Sequence, residues 1–141
     1  MSQGRLRLGA LVAVGGAAGT LARFGLTEAF GPPDGVPWAT LTANLLGAFA
    51  LGVLLEALLR AGAEDRTRRA FRLGLGTGFL GGLTTFSSLA LETERLLTGG
   101  QFAVAAGYAL ASLALGLVAA LAGIAVGGAR RTGRGDQGES R

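Results

Sequence analysis

Residues 78–88 read GFLGGLTTFSS, and they fall inside the apolar run 73–90. Two adjacent glycines, Gly81 and Gly82, are followed by four hydroxyl side chains within five residues. A helix in water would tolerate this; one in hydrocarbon must account for every polar group. Glycine can leave helical geometry at little steric cost, so the stretch predicts a helix broken at Gly81–Gly82. Two readings stand side by side. One is a simple kink whose hydroxyls bond back to their own helix. The other frees backbone carbonyls, hard oxygen ligands suited to Na⁺ or K⁺, and turns the positive ring edge of Phe86 toward an anion.

The rest of the chain places this stretch in a membrane. Half of the 141 residues are apolar and only 16% are charged. Apart from Arg23, the windows 8–25, 38–55, 73–90 and 102–129 carry no charge. Each can span about 30 Å of hydrocarbon as a helix. The expectation is an all-α membrane protein with four transmembrane helices at about 8–30, 38–60, 71–97 and 102–129. A short N-terminus, 1–7, and a polar, disordered tail, 130–141, flank them. The turn GPPDGVP stops the first helix, and Trp38 stands where an interfacial anchor would. Arg5 and Arg7 precede the first apolar run as in a signal peptide. That run is too long for one and lacks a small-x-small cleavage site, so the helix is expected to be retained.

Composition removes several chemistries. The chain has no cysteine, histidine or lysine, so disulfides, thiolate chemistry, His/Cys metal sites and imidazole relays are excluded. The pI of about 11.3 comes from arginine alone and reflects membrane topology rather than nucleic acid. Arg5, Arg7, Arg60, Arg66, Arg68, Arg69, Arg72, Arg130, Arg131, Arg134 and Arg141 are expected on one side, and only Arg95 and Arg23 toward the other. Both termini are therefore expected in the cytoplasm. Glycine is abundant, at 26 residues, and forms rows spaced by four: Gly15 and Gly19, then Gly74, Gly78 and Gly82. Ala119, Gly123 and Gly127 form a weaker row. Such rows let helix backbones touch, within a chain or against a partner subunit.

Few polar residues lie in the apolar windows. Asn44, two turns into the second helix, could bond a neighbouring helix or replace water around an ion. Arg23 could snorkel to the interface or mark the mouth of an anion pathway. Tyr108 and Ser112 are four apart and share a face of the fourth helix, a possible hydrogen-bonding track. Glu28 and Glu56 near helix ends are expected to be solvated, and Glu92 and Glu94 are assigned no chemistry.

GFLGGLTTFSS, with GGAAGTLARF in the first helix and PWATLTANLLGAFALG in the second, resembles the microbial fluoride channels of the Fluc or CrcB family. The resemblance covers about residues 15–93. It implies an antiparallel, dual-topology dimer in the cell membrane with two narrow pores, each lined by both chains, that passively exports fluoride. By position, Asn44 would be the pore amide, Phe86 a pore phenylalanine and Arg23 the vestibule arginine. Gly81 and Thr84 would offer main-chain carbonyls to a structural Na⁺, held rather than transported. Tyr108 and Ser112 would form the polar track. Two departures stand out. Leu89 replaces a second phenylalanine, and the arginine bias disfavours dual insertion. Together they point to a paralogous second chain of opposite orientation as partner.

The rivals fare less well. A small multidrug antiporter needs a carboxylate deep in its first helix, and none lies between residues 8 and 26. A non-transporting assembly protein would explain the glycines but not Asn44 or the interrupted helix. No acid–base pair or nucleophile constellation suggests an enzyme.

Overall fold

The structure, a computed structural model, describes residues 3–33 and 35–129. All regular structure within them is helical. Helix α1 spans Gln3–Phe30 and α2 spans Trp38–Arg60. Helix α3 (Arg66–Phe71) continues directly into a π-helical segment, Arg72–Leu80, and a last turn, α4 (Gly81–Leu83). Two extended residues lead to α5 (Phe86–Thr98), and a tight turn leads to α6 (Phe102–Ala129). Helix α1 starts at Gln3, earlier than expected, because Arg and Leu propagate a helix and no proline intervenes. The third segment also starts early, at Arg66, where Asp65 caps it by accepting from the Arg68 N–H at 2.8 Å. The expected tail, 130–141, lies outside the described residues.

Among the described residues, α1, α2 and α6 are long and apolar enough to cross a membrane. The third expected span, 71–97, is a composite of α3, the π segment, α4 and α5. Its interruption is not where the glycines predicted. Gly81 is helical (φ −65°, ψ −33°) and Gly82 lies within α4. The chain opens at Thr84 (φ −80°, ψ 152°) and Thr85 (φ −152°, ψ 121°). Threonine suits extended backbone, and its hydroxyl can end one helix and begin the next. The Thr84 N–H and Oγ1 both donate to the Leu80 carbonyl, at 3.0 and 2.9 Å. Thr85 Oγ1 accepts from the Ser88 N–H at 3.1 Å and caps α5.

The glycines serve close approach instead. Helices α1 and the π segment run parallel, with Gly15 against Gly74 and Gly78, and Gly19 against Phe79 and Leu83. A β-carbon at Gly19 would overlap the Phe79 carbonyl, and one at Gly82 the Gly16 carbonyl. Helices α2 and α6 also run parallel, with Gly123 against Phe49 and Gly127 against Val53. The expected small-residue rows are thus used within one chain.

Helix α2 is central and touches α1, the π segment, α4, α5 and α6. Two small cores flank the break: Ala43, Leu80 and Leu83 on one side, and Leu41, Leu89, Leu96, Ala105 and Tyr108 on the other. Large apolar side chains such as Val14, Leu21, Leu110 and Leu117 point outward. Water would penalise that surface, but lipid does not.

Candidate functional site

The break is held open by Asn44. Its Nδ2 donates to the Thr85 carbonyl at 3.0 Å, and its Oδ1 accepts from the Thr85 N–H at 2.7 Å. One side-chain amide thus satisfies both backbone groups of an extended residue, as a strand neighbour would. The pairing takes Thr85 out of the helical ladder, where its N–H would have served the Gly81 carbonyl. The Ser88 N–H, which would have served Thr84, goes to Thr85 Oγ1 instead. The carbonyls of Gly81 and Thr84 therefore lose their helical donors.

Arg23 is half-buried and donates from Nε to the Gly82 carbonyl at 3.3 Å. It reaches inward to the end of α4, which is where a cation complements the helix dipole. Five of the expected site residues, Asn44, Gly81, Thr84, Phe86 and Ser112, line one cleft of about 460 Å³, with Ser112 contributed by α6. Phe86 opens α5 and is 77% exposed. Ser112 Oγ is buried and has no hydrogen-bond partner among the described residues. A buried hydroxyl without a partner is costly, which sets Ser112 apart from the other hydroxyls near the break.

Tyr108 does not join that cleft. Its side chain is buried, and its hydroxyl donates to Glu92 Oε2 at 2.6 Å, while Thr40 Oγ1 donates to Oε1 of the same carboxylate at 2.6 Å. The expected Tyr108–Ser112 track is therefore divided: one hydroxyl binds a carboxylate and the other lines the cleft. Glu92, given no chemistry on sequence grounds, ties α2, α5 and α6 together. A usable signal was present. In an antiparallel hairpin turning near residue 100, positions 92 and 108 stand level. Of the other acids, Glu56 pairs with Arg60, and Glu28 and Glu94 are exposed. Leu89 is not an empty slot for a ring: it is 8% exposed, packed in the core beside the cleft.

Residues 10–124 match the family described as "CrcB-like protein, Camphor Resistance (CrcB)". The chain belongs to that family. It is 47% identical over 111 residues to "Fluoride-specific ion channel FluC 1" of Cutibacterium acnes, covering 78% of each chain. It is 44% identical over 125 residues to "Fluoride-specific ion channel FluC 2" of Leifsonia xyli subsp. xyli, covering 89% of this chain and 86% of the relative. It is also 46% identical over 123 residues to a "Fluoride-specific ion channel FluC" of Thermus thermophilus, covering 84% of this chain and 92% of the relative. The family match runs from within α1 to within α6 and takes in every residue that lines the cleft.

Proposed function

We propose that this CrcB-family chain is a fluoride channel that lets F⁻ leave the cytoplasm down its electrochemical gradient. The observation that carries the reading is the Asn44–Thr85 pairing at the break, with Phe86 and Ser112 on the walls of the same cleft. The names of the relatives support it. A small anion must exchange its water for donors of comparable strength. The second Nδ2 hydrogen of Asn44, the Ser112 hydroxyl and the Phe86 ring edge are such donors, set in an apolar wall. Arg23 adds positive charge near the break. A catalyst is not needed for any of this.

The chain works as an antiparallel dimer in the membrane in this proposal. The carbonyls of Gly81 and Thr84, deprived of helical donors, fit a hard cation such as Na⁺. Na⁺ held by those carbonyls would neutralise their dipoles. The arginines at the α1 start, the α2 end and α3 favour one orientation, with both termini in the cytoplasm. A second chain of opposite orientation would then complete the dimer and supply the aromatic ring absent at Leu89.

The test is fluoride efflux from liposomes holding this chain, alone and with a candidate partner chain. The expected result is a fluoride-selective leak, blind to chloride, that Phe86→Ile abolishes. No leak in either preparation would overturn the reading. Orientation is read separately with cysteines added near each terminus of this cysteine-free chain. Equal labelling from both sides of the membrane would refute a fixed insertion.

A further inference from the structure

The arginine-rich end of the molecule carries a second feature, independent of the break. A cleft of about 840 Å³ opens between the first turns of α1 and helix α3, with Arg5, Arg7, Arg66 and Arg69 on its walls. Glu64 and Asp65 also line it, but both are engaged elsewhere. Glu64 accepts from Arg72 Nε at 2.7 Å, and Asp65 caps the Arg68 N–H and lies 3.7 Å from Arg68 Nε. None of the four cleft arginines has an ion-pair partner among the described residues. Leu11 and Ala70, at the floor of this cleft, pass into a second groove of about 440 Å³ between the same two segments. That groove is apolar, with Gly74 at its base and Phe71, Leu75 and Phe79 at its sides.

We propose that this paired site binds one anionic phospholipid, with its phosphate on the arginines and an acyl chain in the groove. Guanidinium groups match phosphate geometry, and basic clusters beside membrane helices attract anionic headgroups. A zwitterionic headgroup brings a cation that four unpaired arginines repel. A free phosphate could use the cleft but would leave the groove unexplained. The groove shares no lining residue with the Asn44 cleft, so a lipid there leaves the proposed ion path clear.

The experiment is native mass spectrometry of the full chain in detergent with phosphatidylglycerol, phosphatidylcholine or inorganic phosphate added. Phosphatidylglycerol should be retained about fivefold or more over phosphatidylcholine and should resist excess phosphate. The exposed triple variant Arg5→Gln, Arg66→Gln, Arg69→Gln should erase the preference. Gly74→Leu should weaken lipid retention by filling the groove, because a β-carbon there meets only Leu11 at 3.8–3.9 Å. Equal retention of the two lipids, or a preference that survives the triple variant, would overturn the proposal. So would displacement of the lipid by phosphate, or full retention by Gly74→Leu. The readout is bound lipid rather than flux, so its failure and that of the channel reading are told apart.

Discussion

The two halves of this molecule meet the same solvent in opposite ways. Where α1 lies along the π segment and α4, backbones touch through Gly15, Gly19, Gly78 and Gly82. Where the first turns of α2 meet the break and the α5–α6 hairpin, side chains do the joining: Asn44 to Thr85, and Glu92 to Thr40 and Tyr108. Farther along, α2 meets α6 through Gly52, Gly123 and Gly127. In hydrocarbon, apolar side chains gain little by leaving lipid for protein, so association needs either close packing or polar bonds. The glycine contacts are intolerant of added volume, and the polar joints of lost polar groups. The polar joint at Asn44 also lies on the wall of the cleft that carries the proposed ion path.

The largest expected effect tests the packed half. Gly19→Leu should yield no monodisperse protein by size exclusion, because its β-carbon meets the Phe79 backbone, which cannot step aside. Gly25→Leu, with nothing within 4 Å, should behave as wild type. If both variants behave alike, the packing half of the comparison fails.

Next comes Asn44→Ala, which orphans the Thr85 N–H and carbonyl at a cost of about 2–6 kcal/mol. Fluoride efflux should fall at least about tenfold, a loss of about 1.4 kcal/mol or more in rate terms. Retained flux in this variant would separate the lock from the ion path. Leu89→Phe should follow, destabilising this chain by about 1–3 kcal/mol through overpacking, read as a lower midpoint of thermal unfolding. A stabilised Leu89→Phe would mean that the site has room for a ring after all.

The smallest effect is expected at the carboxylate hub. Tyr108→Phe removes one of two bonds to Glu92 and should cost about 1–2 kcal/mol, with Thr40→Val similar. Because the two hydroxyls share one carboxylate, the double variant should depart from additivity. Strict additivity would show that Glu92 is not a joint.

Much of this was legible beforehand. The bounds of α2 and α6 follow from charge-free runs ended by proline, glycine and arginine, and the importance of Asn44 followed from the cost of an amide in hydrocarbon. The position of the break was not legible. Glycine permits many conformations, and the side chain opposite it decides which is used: Gly82 stays helical to pass Gly16, and Thr85 opens because Asn44 offers both partners. Glu92 was missed because its partners lie on α2 and α6, separated from it by 52 and 16 positions.

By itself, then, the sequence determined the class of protein, the number of apolar runs, the arginine asymmetry and the family. Hydrophobicity and charge act locally and survive any packing. Only the tertiary structure decided which carbonyls are released, which hydroxyl faces the cleft and which faces Glu92, and that Leu89 belongs to the core. Those outcomes depend on what lies across from each residue, and a linear chain does not record its neighbours in space.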